Sequence, residues 1–184
     1  MRIVGIDEVG RGCWAGPVVA GAVMLTEEIS GLRDSKKLSK KRRLMLSDQI
    51  HTSAMVGLGW VSAAEVDSLG LTNAVGLAMQ RALDLISQPY DQVIIDGNYN
   101  FMADNPKVSV MVRADESVPS VSAASIVAKV ARDEYMQRIS ADLPNYGFES
   151  HVGYGTAAHV QALKIYGVTP EHRQSYKPIR ALLQ

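Results

Sequence analysis

The chain has 184 residues, 47% of them hydrophobic, with 19 Lys and Arg against 19 Asp and Glu. That is enough apolar material for one core, so a single domain is the default, and a formal net charge of zero argues against a polyanion binder that is basic all over. The lone Cys13 excludes an intrachain disulfide and fits a reducing compartment; with no basic-then-apolar leader and no apolar run near the ~18 residues of a membrane span, the expectation is a cytoplasmic protein.

Residues 2–7 (RIVGID) and 17–25 (PVVAGAVML) read as strands. A basic helix is expected over about 39–51, followed by a third strand over 54–61 (AMVGLGWV). Ser62-x-x-Glu65 is a capping box that opens a short helix. Thr72 is the expected cap of a longer one reaching about Ile86, because Val75, Leu77, Ala78, Ala82, Leu83 and Leu85 recur at helical spacing. QVIID (92–96) is a short buried-type strand stopped by Gly97-Asn98, and 108–113 (VSVMVR) is a fifth. Residues 122–136 predict a strong helix, 156–166 another ending at Gly167, and Pro178 opens a final short one. Strands separated by helices, with an early adjacent pair, predict an α/β domain with a mixed sheet and a helical C-terminal third packed against it.

Charge is unevenly spread. From Arg33 to Arg43 (RDSKKLSKKRR) seven residues are Lys or Arg and one is Asp, and a thinner basic group holds Lys164, Arg173, Lys177 and Arg180. On one side of the fold these would hold a polyanion; scattered, they are a solvated face.

The segment after the first strand, GIDEVGRGCWAGP (5–17), fits the relaxed dinucleotide pattern through Gly10, Gly12 and Ala15. That fingerprint needs a helix N-terminus to receive the pyrophosphate. Here Gly16-Pro17 leads into a β-branched strand, and Asp7 and Glu8 would repel the phosphates. Asp34 lies near the distance expected of a ribose-binding acid but sits inside the basic run. The alternative is a metal site. Asp7 and Asp96 each close an apolar strand, so parallel neighbours would bring both to the sheet edge where α/β folds bind ligands. Glu8 would face the other way unless the strand ends or bends, which Gly10 and Gly12 permit. Asp115 follows the fifth strand in Arg113-Ala-Asp-Glu116. Clustered carboxylates suit magnesium or manganese, and two such ions about 4 Å apart serve phosphodiester hydrolysis.

On the helix after Asp115, Ser122, Ser125, Lys129 and Arg132 form one polar stripe, either a phosphate track or a plain solvent face. His51, His151, His159 and His172 show no zinc spacing, and His151 and His159 are expected at the surface.

Together GIDEVGRG (5–12), DSKKLS (34–39), VIIDGN (93–98), RADE with SAASIVAKVARD (113–133) and YGFESHVGYGT (146–156) make the chain resemble the type 2 ribonuclease H family, ribonuclease HII, over nearly its whole length. The resemblance implies a ribonuclease H-like five-stranded mixed sheet flanked by helices. One catalytic domain would span 1–184, with residues about 140–184 as a helical extension. It implies an endoribonuclease that hydrolyses the RNA strand of RNA–DNA hybrids and nicks 5′ to ribonucleotides embedded in duplex DNA. Two metal ions, Mg2+ or Mn2+, would act, leaving 5′-phosphate and 3′-hydroxyl ends. Asp7, Glu8, Asp96 and Asp115 match the family's four metal-binding carboxylates. Gly10, Arg11 and Gly12 match the loop whose backbone reads the ribose 2′-hydroxyl, and Tyr154 the tyrosine beside the junction. Ser35, Lys36, Lys37, Lys40 and Lys41, with Ser122, Ser125, Lys129 and Arg132, are the expected backbone contacts. Val9, Cys13, Trp14 and Val152 depart from the family pattern without removing an acid or a glycine. PIRALLQ at the end shows no sliding-clamp motif, and a monomer is expected. Two rivals stand beside this reading: a DNA nuclease or strand-transfer enzyme on the same fold, and a noncatalytic hybrid-binding module.

Overall fold

A computed structural model describes residues 1–33 and 35–183. Asp34 lies outside the described residues. Five strands, β1 (Ile3–Val9), β2 (Val18–Leu25), β3 (Ala54–Val61), β4 (Gln92–Asp96) and β5 (Val108–Met111), form one sheet in the order β3-β2-β1-β4-β5. β1, β2 and β3 run antiparallel, and β1, β4 and β5 run parallel. The helices are α1 (Lys40–Ser53), α2 (Ala63–Leu69), α3 (Leu71–Asp84), α4 (Ala114–Ser117), α5 (Pro119–Asp142), α6 (Phe148–His151), α7 (Ala157–Tyr166) and α8 (Lys177–Arg180).

Strand alternation sorts the core into two layers. Val4, Ile6, Val18, Ala20, Ala22 and Met24 face α2 and α3, burying Val66, Val75, Ala78 and Met79. Val23 faces the other way, with Leu46 and Ile50 of α1 and Ala123, Ala124, Ile126 and Val127 of α5. Gly5 lets α5 lie close against β1, because a Cβ there would run into the Ser120–Val121 backbone.

The differences from expectation have local causes. Thr72 does not cap the long helix but lies inside its first turn: α3 starts at Leu71, because Gly70 ends α2 with an N–H donated to the Val66 carbonyl and at once precedes α3. β5 stops at Met111, since Arg113 takes a left-handed φ of 57° that turns the chain into α4. α5 is extended at both ends, with Pro119 in its first turn, where no N–H is needed. Within the C-terminal third, α5 packs on the sheet through Ala124 and Val127, and the segment beyond it gathers mainly on the second half of α5 and the glycine loop. Tyr146, Phe148, Ala162, Leu163 and Ile179 form a third cluster with Ala15 and with Met136 from the second half of α5. No helix among the described residues is long and apolar enough to cross a membrane.

Candidate metal centre

Parallel pairing puts Ile6 opposite Ile95, so Asp7 and Asp96 follow level with each other at one edge of the sheet. The main-chain N–H of Ala114 donates to Asp96 Oδ1 at 2.7 Å, which ties the start of α4 to the end of β4 and brings Asp115 to the same edge. Ser122 Oγ holds the Asp115 carbonyl at 2.6 Å. One carboxylate oxygen from each of Asp7, Asp96 and Asp115 lies within 4.8 Å of the others. Glu8 stands at the margin. β1 continues through Val9, so alternation turns Glu8 away from Asp7, and its Oε1 accepts from Arg11 Nη1 at 3.0 Å. Its charge still acts on the group. The Asp7 carboxyl is pushed up to about 8, first by burial, then by the charge of Glu8, with a smaller push from Asp96 and an opposing hydrogen bond from Ser125. Burial raises Glu8 too, against the pull of Arg11.

This arrangement fits divalent cations. The donors are all hard oxygens, they converge from three distant segments, and burial with repulsion from Glu8 and Asp96 makes the ionised form of Asp7 costly until positive charge sits beside it.

Beside the acids runs the glycine loop. Gly10 has a φ of 94°, and a Cβ there would collide with Arg132 Nε and the Pro17 carbonyl. Gly12 is different: its φ is not left-handed, and a Cβ would meet only the Tyr154 ring at 3.8 Å. Neither backbone conformation nor internal packing therefore demands glycine at 12. The space a side chain would fill lies in front of Tyr154, which is 44% exposed. The Tyr154 phenol is pushed up by burial first and then by the Cys13 thiol, with which it hydrogen-bonds.

A family model described as ribonuclease HII matches residues 4–179. The chain belongs to the ribonuclease HII family. It is 46% identical over 183 residues to the ribonuclease HII of Jannaschia sp. (strain CCS1), covering 98% of this chain and 92% of that protein. To the ribonuclease HII of Geobacillus sp. (strain WCH70) it is 44% identical over 185 residues, 99% of this chain and 66% of that longer protein. The structure of the PCNA–RNase HII complex from Archaeoglobus fulgidus is similar at a TM-score of 0.79 and 26% identity, covering 96% of each chain. The chain is thus a metal-dependent ribonuclease H enzyme acting on RNA–DNA hybrids, with the ribonuclease H-like fold expected of it.

In this enzyme the stripe on α5 is not a surface track. Arg132 is 0% exposed, and its guanidinium donates to the carbonyls of Pro17 (2.9 Å), Val152 (2.9 Å) and Ala15 (3.1 Å). It clamps the glycine loop to the Val152–Tyr154 segment and is not available to a phosphate. Ser122 and Ser125 are buried; Ser125 Oγ lies 2.9 Å from Ser35 Oγ and also bonds Asp7, so the two serines support acids. Lys129 pairs with Asp133 at 2.7 Å. Ser35 is buried, whereas Lys36, Lys37, Lys40 and Lys41 are exposed around the start of α1, with Lys37 bonded to Glu116 at 2.7 Å. In the thinner basic group Lys164, Lys177 and Arg180 are exposed, but Arg173 is buried.

The histidines also depart from expectation. His151 and His159 are buried and stack at 4.6 Å between ring centroids. The Thr169 N–H donates to His172 Nδ1 at 3.0 Å, which leaves the proton on His172 Nε2. That proton is donated to His159 Nε2 at 3.0 Å, and His159 Nδ1–H to the Tyr154 carbonyl at 2.9 Å. Each ring is neutral in one tautomer. Burial lowers both groups, His172 to about 4. Sequence spacing gave no sign of this relay, because a neutral imidazole packs like any half-polar aromatic.

Proposed function

We propose that this enzyme, besides hydrolysing the RNA strand of hybrids, nicks duplex DNA on the 5′ side of a single embedded ribonucleotide and leaves 5′-phosphate and 3′-hydroxyl ends. The observation that carries the proposal is the meeting of Asp7, Asp96 and Asp115 beside a bare Gly12 that faces Tyr154. Asp7 and Asp96, level across two strands, would hold Mg2+ or Mn2+ together with Asp115, and Glu8 would join them by turning from Arg11. When bound, such ions make the attacking water more acidic and stabilise charge on the leaving 3′-oxygen. The chain's own residues do the rest. Ala114 N–H holds Asp96 and Ser125 holds Asp7. Gly10, Arg11 and Gly12 offer main chain to the sugar, whose 2′-hydroxyl both donates and accepts. Tyr154 packs its ring at the junction. Lys36, Lys37, Lys40 and Lys41 grip phosphates without reading sequence. The product is a substrate for ribonucleotide excision repair, and the enzyme works as a cytoplasmic monomer.

The test is cleavage of an end-labelled duplex carrying one ribonucleotide, with Mg2+ and with Mn2+, mapping the cut and its termini. One cut 5′ to the ribonucleotide, and none in the all-DNA duplex, is the expected result. Cutting that ignores the sugar would point to a DNA nuclease instead.

A further inference from the structure

The glycine loop is held in place by a segment more than 150 positions away in sequence. Residues 171–176 lie along residues 14–16. Gly16 N–H donates to the Glu171 carbonyl at 2.8 Å, Ala15 and His172 form an antiparallel bridge, and Arg173 N–H donates to the Trp14 carbonyl at 2.8 Å. From this strap two side chains reach one atom. Arg173 Nη1 donates to the Arg11 carbonyl at 3.1 Å, and the Tyr176 hydroxyl donates to the same oxygen at 2.6 Å. Arg173 Nη1 also braces the Tyr176 hydroxyl at 2.9 Å, while Nε and Nη2 fasten to the Gly16 carbonyl at 3.0 and 2.8 Å.

Arg173 is 0% exposed and, among the described residues, forms no ion pair. A buried charge satisfied only by carbonyls and a hydroxyl is costly to keep for packing alone. Its effect on the loop is geometric. A peptide unit is planar and trans, so the Arg11 carbonyl and the Gly12 N–H point in opposite directions. Two donors that grip the oxygen from the strap therefore aim the Gly12 N–H away from the strap, on the exposed side of the loop.

We propose that Arg173 and Tyr176 are positioning residues for ribose discrimination: by latching the Arg11 carbonyl they present the Gly12 N–H to the sugar. This rests on the proposed reading of the loop as the ribose sensor. The latch touches no reacting atom; it reduces the reorganisation the loop undergoes on binding.

Tyr176→Phe removes one latch bond and keeps the ring. The experiment uses Asp7→Asn protein, so that nothing is cut, and compares affinities with Mg2+ for a duplex carrying one ribonucleotide and for its all-DNA counterpart. Asp7→Asn alone prefers the ribonucleotide duplex. Adding Tyr176→Phe lowers that preference about fivefold, the worth of one hydrogen bond, and leaves all-DNA affinity unchanged. Adding Arg173→Lys, which keeps the charge and loses the fork, lowers it further. An unchanged preference with Tyr176→Phe, or an equal loss of both affinities, overturns the latch while sparing the sensor. If Asp7→Asn alone shows no preference, the sensor reading fails and the latch falls with it.

Discussion

Asp7 and Asp96 meet because two parallel strands set Ile6 opposite Ile95. Gly12 and Tyr154 meet because buried arginines and histidines reach across the chain to hold single carbonyls. The first construction uses the sheet's own ladder, which is redundant. The second uses individual side chains, each of which leaves unsatisfied backbone groups when removed. Damage at the acid edge should therefore take chemistry and leave the fold, whereas damage at the loop should take stability and selectivity together.

The sharpest way to break this contrast is substitution at the edge. Asp96→Asn is expected to lower kcat by about 1,000-fold or more while substrate binding survives, as single-turnover cleavage and binding assays would show. In chelator at pH 8, Asp7→Asn should raise Tm. Because the Asp7 pKa is raised, the unfolded chain gives up this proton first as pH rises from 3.8, so the cost to the folded state grows until about pH 8 and is full above it; an amide escapes it. On the loop side, Arg132→Met strands three carbonyls and should cost about 4 kcal/mol in urea unfolding.

Acid probes the relay behind Tyr154. His172 is held at about 4, below its unfolded 6.5, so the unfolded chain takes up this proton first as pH falls. The stabilisation is whole above pH 6.5 and is lost between 6.5 and 4, on the order of 3 kcal/mol. A stability–pH curve should show it, flattened in His172→Gln. The smallest effect belongs to the rim. Lys36→Ala with Lys40→Ala should weaken binding to every duplex alike and reduce the slope of log affinity against log salt by about 2.

How much of this was legible in the sequence follows the same division. A strand that ends in an acid announces itself, so Asp7 and Asp96 and their shared edge could be read from RIVGID and QVIID. Asp115 was visible only as an acid after the fifth strand; the four-residue α4 that carries it depends on the left-handed Arg113, which has no sequence signature. Ser122, Ser125, Lys129 and Arg132 do recur at helical spacing, but periodicity cannot tell a face covered by solvent from one covered by carbonyls. Arg132 was thus placed at the surface, and the C-terminal strap that carries Arg173 and Tyr176 could not be foreseen at all. Its contacts join residues over 150 apart through backbone atoms, which carry no residue code.

Three acids from three separate segments form one candidate cation trap. Calorimetric titration of Mn2+ into the wild-type enzyme and into Asp7→Asn, Asp96→Asn and Asp115→Asn tests it most directly. Each substitution is expected to weaken Mn2+ binding at least about tenfold without unfolding the protein. Equal Mn2+ affinity in the wild type and all three variants would contradict it.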